Sequence, residues 1–254
     1  HQKIISDLVD NAQKRKLFSI VLTFYPHPRM ILQEDEVKMI DTIQEKEKLL
    51  ENLGVDILII HPFSKKFSRL TAIEFVRDIL VNKLKVSRLV VGYDHRFGRN
   101  REATISELKT FGEAYNFSLN VINAQEIKSI TVSSTKIRSA IEKGDIKTAN
   151  KYLGRPFTLT GKVVKGNGIG RKLGFPTANI KIADDYKIKP SRGVYLIKSN
   201  FPEGIFFGMM NFGKRPTLKG KKKRIEVHFF YLNKDLYDSK LSIQLLKKIR
   251  SEKR

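Results

Sequence analysis

Two rhythms of apolar residues alternate along the first half of the chain. Continuous apolar runs at 17–24 (LFSIVLTF), 56–61 (DILIIH), 87–93 (SRLVVGY) and 118–124 read as buried strands. Stretches at 42–53, 72–84 and 105–115 repeat their apolar positions with the period of an amphipathic helix. Strand and helix therefore alternate, which predicts a parallel, Rossmann-like sheet covered by helices. An amphipathic helix is also predicted at 2–14, ahead of the first strand, where a doubly wound sheet normally starts with a strand. This offset creates the expectation that the sequence is a fragment of a longer chain, although His1 is equally compatible with the remnant of an affinity tag.

The rhythm changes near residue 155. Runs at 157–164, 193–198, 205–212, 224–232 and 241–246 are short and strand-like, with turn-rich loops and no helical stretch between them. That pattern predicts an antiparallel barrel or sandwich. Two helical stretches, 135–143 and 145–153, punctuated by Gly144 and Gly154, join the two halves. The expected division is an α/β domain over 1–154 and an all-β domain over 155–254.

Charge sharpens this division. The formal net charge is +23, but residues 1–150 carry 24 Lys and Arg against 19 Asp and Glu, whereas residues 151–254 carry 25 against 7. A field of that sign favours polyanions, whether nucleic acid, acidic lipid or nucleotide phosphates. The run at 219–224 is the most basic segment, yet no aromatic base-stacking platform accompanies it, so nucleic acid is not the expected partner. The chain has no cysteine, which excludes disulfides and thiolate metal sites. No apolar run approaches the ~20 residues that span a bilayer, and no signal peptide opens the sequence. A soluble, cytoplasmic protein with no membrane partner is expected.

Candidate chemistry concentrates in residues 161–179, GKVVKGNGIGRKLGFPTAN. Gly166, Gly168 and Gly170 can adopt positive φ and turn backbone N–H groups toward an anion, and Arg171 and Lys172 add positive charge. Thr177 and Asn179 offer hard oxygen ligands two positions apart, on one face of an extended segment. A dinucleotide-binding loop would need a helix to open at the glycines. Pro176 and the β-branched run before the loop argue for strands instead. A hairpin with a basic tip accounts for these residues as well as a phosphate cradle does.

A second candidate is Ser133-Ser134-Thr135-Lys136-Ile137-Arg138, where the last α/β strand gives way to a helix. Ser133 or Ser134 can cap that helix, whose N-terminus then faces a ligand with Arg138 on its first turn. A plain helix cap uses the same residues. Other unusual residues follow the predicted strands: Tyr25-Pro26-His27-Pro28, His61-Pro62 and Asp94-His95-Arg96-Phe97-Gly98. In parallel sheets, ligands bind at those carboxyl ends.

These motifs carry a resemblance. GRKLGFPTAN (170–179), GVYLI (193–197) and NFGKRPTL (211–218), followed by Ile225-Glu226-Val227-His228, resemble the riboflavin kinase module. VGYDHRFG (91–98) and VSSTKIR (132–138) resemble the nucleotidylyltransferase module joined to it in the bacterial bifunctional riboflavin kinase/FAD synthetase family. The resemblance covers nearly the whole chain in the right order. It implies an α/β nucleotidylyltransferase domain followed by a six-stranded antiparallel barrel. The implied activities are phosphorylation of riboflavin to FMN and adenylylation of FMN to FAD with release of pyrophosphate, both using ATP and Mg²⁺. The alternatives are a basic nucleic-acid-binding protein, or a protein in which only one module works.

Site residues transfer from the family one at a time. Thr177 and Asn179 match its Mg²⁺ ligands, and Glu226 its catalytic base. Glu226 is the only acidic residue between Glu203 and Asp235. The glycine-rich loop with Arg171 would hold phosphates. Ser133, Ser134, Thr135 and Arg138 match the phosphate-binding helix start of the adenylyltransferase, and Asp94 a polar position near the flavin. His1 matches the second histidine of that module's HxGH motif. Two departures stand out. His95 occupies a place where many relatives carry Phe, and the family's helix beyond 249–252 is not represented.

Overall fold

The predicted elements form with shifts of a few residues at their ends. The structure, a computed structural model, describes residues 2–32, 37–123, 126–127, 130–166, 175–214 and 223–252. Two compact units result. One comprises His1–Val37 and Lys46–Thr131, the other Lys38–Glu45 and Val132–Arg254.

The first elements in chain order are α1 (Gln2–Lys14), β1 (Ile20–Tyr25), α2 (Pro28–Leu32), α3 (Ile43–Asn52) and β2 (Ile57–Pro62). They are followed by α4 (Ala72–Glu74), which continues as a π-helical stretch over Phe75–Lys83, then β3 (Arg88–Gly92), α5 (Ile105–Tyr115), β4 (Ser118–Ile122), β5 (Glu126–Ile127) and β6 (Ile130–Thr131). The strands pair parallel as their spacing by helices requires. β1 runs beside β2 from Ile20 opposite Ile57 to Tyr25 opposite Pro62, and β3 beside β4 from Arg88 opposite Ser118 to Gly92 opposite Ile122. β5 and β6 form a small antiparallel pair.

Polar side chains mark where these elements begin. The Ser19 hydroxyl and backbone N–H both donate to the Asp56 carboxylate, at 2.6 and 2.7 Å, clamping the starts of β1 and β2 together. Thr104 and Glu107 close a capping box at the start of α5, and Thr71 with Glu74 does the same for α4. Val76, Leu80, Val91, Phe97, Leu108 and Phe117 pack the core between them. Gly98 is needed here twice over. Its φ is 73°, and a Cβ would sit 2.9 Å from the backbone nitrogen of Ala72.

In the second unit, α6 (Ser134–Lys143) and α7 (Ile146–Leu153) precede six strands: β7 (Phe157–Val164), β8 (Ala178–Lys181), β9 (Gly193–Phe201), β10 (Gly204–Lys214), β11 (Lys223–Phe229) and β12 (Lys240–Arg250). Gly144 and Gly154 end the two helices in left-handed geometry, as their positions in the sequence suggested. The strands close into an antiparallel barrel in the order β10, β11, β8, β7, β12, β9. Alternation along each strand sends Phe157, Leu159, Val163, Tyr195, Ile197, Met210, Ile225, Val227, Ile243 and Leu245 inward. Ile137, Ala140, Ile141, Ile146 and Ala149 of the two helices join this core.

β8 is the strand that the apolar pattern does not single out. It is four residues long, and Ile180 alone is fully buried. No helix among the described residues is long and apolar enough to cross a membrane.

Candidate functional site

Barrel register assembles the first site. β11 lies between β8 and β10, with Glu226 opposite Asn179 on one side and opposite Asn211 on the other. Their neighbours Ile180, Ile225, Val227, Met210 and Phe212 fill the interior, so the three polar residues share the outer face. Directly opposed residues on antiparallel strands hold their Cβ atoms about 5 Å apart. A carboxylate and two side-chain amides therefore form a row across three strands.

Asn179 packs against Gly166. A Cβ on Gly166 would collide with the Asn179 Nδ2, so any larger residue there forces the amide to move. Gly166 does not have the positive φ expected of it; the close approach of the amide explains the residue instead. The Asn179 Oδ1 is buried and has no hydrogen-bond partner among the described residues. An orphaned acceptor of this kind loses its hydration without compensation and fits a cation ligand. Thr177 is exposed two residues earlier. The turn that delivers it is fixed by His228, whose Nδ1 lies 2.9 Å from the Pro176 carbonyl and whose ring meets Phe175 edge-on.

Two hollows meet at Asn179. One, of about 70 Å³, is lined by Gly166, Pro176, Thr177, Asn179, Phe229 and Tyr237, among others. The other, of about 620 Å³, carries Lys38, Lys165, Lys181, Lys189 and Arg224 on its walls. Among the described residues no three His, Asp or Glu converge as a ready-made metal cage. A cation at Asn179 and Thr177 would take its remaining ligands from bound phosphates and water, which is the usual habit of Mg²⁺.

Residues of the second candidate belong to both units. Ser133 caps α6 by accepting a hydrogen bond from the Lys136 N–H at 3.3 Å. Ser134 and Thr135 then fall in the first turn. Arg138 is half-buried, and its Nε donates to the Lys38 carbonyl at 3.0 Å. In the first unit, Asp94 is exposed just beyond β3. The adjacent His95 stacks on Phe97 with ring centroids 6.0 Å apart and 14° between planes. Protein packed against the ring, and then Arg101, push the His95 pKa below its usual value, with Asp94 opposing. His1, Gly168, Gly170 and Arg171 lie outside the described residues.

The sequence reading overlooked an aromatic chain at the carboxyl ends of β1, β2 and β3. Phe24 contacts Phe63 and Phe67 at 5.7 and 5.3 Å, His61 lies 4.4 Å from Phe67, and Phe75 links Phe67 to Phe97 in two steps of 6.2 Å. Aromatic residues placed just after three predicted strands were the available signal.

Comparison with known proteins also separates the chain into two parts. Residues 1–136 match the family model described as FAD synthetase, and residues 153–254 the model described as riboflavin kinase. A protein named bifunctional riboflavin kinase/FMN adenylyltransferase from Buchnera aphidicola subsp. Schizaphis graminum is 39% identical, the match covering 99% of this chain and 82% of that protein. The protein of the same name from Escherichia coli K12 is 34% identical over 100% of this chain and 81% of its own length. A solved structure described as a macrolide-efflux protein from Streptococcus pneumoniae superposes with a TM-score of 0.89 at 31% identity, over 100% of this chain and 83% of that one.

Proposed function

The chain belongs to the bifunctional riboflavin kinase/FMN adenylyltransferase family, and from that premise we propose where each of its two reactions takes place. The enzyme phosphorylates riboflavin to FMN with ATP and adenylylates FMN to FAD with a second ATP. By sequence we assign the adenylyltransferase to residues 1–154 and the kinase to residues 155–254.

The kinase centre is the row formed by Asn179, Glu226 and Asn211. One observation carries this reading: Glu226 stands opposite an asparagine whose buried oxygen lacks a partner among the described residues. In our reading Glu226 accepts the proton of the riboflavin ribityl 5′-hydroxyl as that oxygen attacks the γ-phosphorus of ATP, and ADP leaves. Asn179 and Thr177 would hold Mg²⁺, which supplies positive charge to the transferring phosphate when bound. We place the nucleotide phosphates at Asn179, where the two hollows meet, with the glycine-rich loop of Gly168, Gly170 and Arg171 contributing N–H groups and charge.

For adenylylation, a phosphate oxygen of FMN attacks the α-phosphorus of ATP and pyrophosphate departs, so no covalent enzyme intermediate is required. The work is positioning and charge stabilisation. We assign it to the capped start of α6, with Ser133, Ser134, Thr135 and Arg138, and to His1. We assign the flavin side to Asp94, with the half-buried rings of Phe24, Phe63 and Phe67 near the carboxyl ends of β1 and β2 as a stacking surface. We place the enzyme in the cytoplasm, where a cysteine-free chain has no need of an oxidising compartment. The name of the Streptococcus pneumoniae structure suggests efflux, but the residues gathered here suit phosphoryl and nucleotidyl transfer.

Product analysis tests the reading. The protein incubated with riboflavin, ATP and Mg²⁺ should yield FMN and then FAD, resolved by chromatography. Accumulation of FMN alone would restrict the assignment to the kinase, and the absence of both products would overturn it.

A further inference from the structure

Residues 38–45 lie in the stretch matched by the FAD synthetase model, yet they pack within the barrel unit. Their backbone is stitched to the segment after β8. Met39 N–H donates to the Tyr186 carbonyl at 2.7 Å, and Ile188 N–H returns a bond to the Met39 carbonyl at 2.9 Å. Side chains add a latch. Lys187 is fully buried, and its Nζ lies 2.5 Å from both the Glu45 Oε2 and the Ile40 carbonyl. The same Glu45 oxygen accepts the Thr42 N–H at 3.0 Å, so one carboxylate both caps α3 and holds the lysine. Arg155 reaches Asp41 at 2.6 Å.

The segment ends at a working surface. Lys38 lines the larger cavity, where its Nζ donates to the Asp185 carbonyl at 3.3 Å. Lys165, Lys181, Lys189 and Arg224 line the same cavity, against Glu142 and Asp185. So does Asn179. A cavity with that excess of cations attracts phosphate groups.

We infer that residues 38–45 form a latched strap of the kinase, and that Lys38 is a positioning residue for the phosphates of ATP in riboflavin phosphorylation. The inference rests on the kinase reading of Asn179 and Glu226. The strap brings one cation to the cavity wall, and the Glu45–Lys187 pair keeps it there. A stretch of sequence shared with one activity thereby serves the other.

Steady-state kinetics with Lys38→Met and Lys38→Arg test the side chain. Lys38→Met should raise the KM for ATP in FMN formation about tenfold, the effect of losing one charge-assisted contact, with kcat and the rate of FAD formation from supplied FMN little changed. Lys38→Arg should restore the KM. Hydrogen exchange tests the latch independently of activity: the Met39 and Ile188 amides should be protected in the unaltered protein and exposed in Glu45→Gln. An unchanged KM for ATP in Lys38→Met, beside normal FMN formation by the parent, overturns the role of Lys38. Fast exchange of both amides in the parent overturns the strap. Protected amides in a parent that makes no FMN would instead bring down the kinase reading, and the role of Lys38 with it.

Discussion

Glu226 and Asn179 occupy opposing positions on the paired strands β11 and β8, which puts a carboxylate beside an amide whose oxygen is buried without a hydrogen-bond partner among the described residues. Neither residue is informative alone. A single Glu in a strand is usually an outward-facing solubilising residue, and an orphaned amide oxygen is a cost to stability unless something binds it. Together they set a group able to accept a proton beside one able to bind a cation, at the spacing of neighbouring strands.

Replacing Glu226 by Gln keeps the shape of the row and removes the proton acceptor. FMN formation should fall by a factor of about 100 or more, while FAD formation from supplied FMN stays near that of the parent. Chromatographic separation of the two products reads both rates, and an equal loss of the two would contradict the two-site assignment.

Gly166→Ala should imitate the loss of the amide. The added methyl would overlap the Asn179 Nδ2, so the side chain must turn away. Gly166→Ala and Asn179→Ala should both raise the Mg²⁺ concentration needed for half-maximal FMN formation, by roughly tenfold. A Mg²⁺ titration of the kinase rate distinguishes this from a simple loss of folded protein.

Arg138→Ala should act on the other reaction. FAD formation from FMN should drop by a factor of about 100, the usual cost of removing one charge-stabilising donor, and riboflavin phosphorylation should persist. A normal FAD rate would remove Arg138 from the site and leave it a structural link to the Lys38 carbonyl.

Lys187→Ala would strand the Glu45 carboxylate in a site where 7% of its side chain is exposed. Removal of one partner from a buried pair costs about 3–5 kcal/mol, which urea unfolding of the barrel unit would register. Joint replacement by Lys187→Met and Glu45→Leu should recover much of the loss.

Acid should weaken the first unit through Asp56. Hydrogen bonds from the Ser19 side chain and then the Ser19 backbone hold the Asp56 pKa below its usual value. A depressed folded-state pKa means stability that is present above the ordinary carboxylate range and lost as pH falls through the folded value. The melting temperature of the parent should therefore exceed that of Asp56→Asn by a constant margin between about pH 5 and 8, and the margin should shrink below about pH 4.

Local chemistry made much of the fold legible. Helix α5 and strand β7 carry the predicted bounds, and Gly144 and Gly154 end their helices where expected, because apolar period and capping are properties of neighbouring residues. The motifs around Thr177, Glu226 and Ser133 were equally visible. β8 was harder to see, since a four-residue strand with one fully buried side chain has too little pattern to read; its partners define it.

Pairings between distant residues had no such signature. Lys187 meets Glu45 across 142 positions, and nothing near either residue announces the other. Likewise, the opposition of Glu226 to Asn179 depends on register, and a shift of one residue would turn either side chain into the barrel. Residue types and periods set which elements form and which chemistry is on offer. Long-range strand pairing and burial, which no local window contains, bring that chemistry into contact and tie residues 38–45 to the barrel.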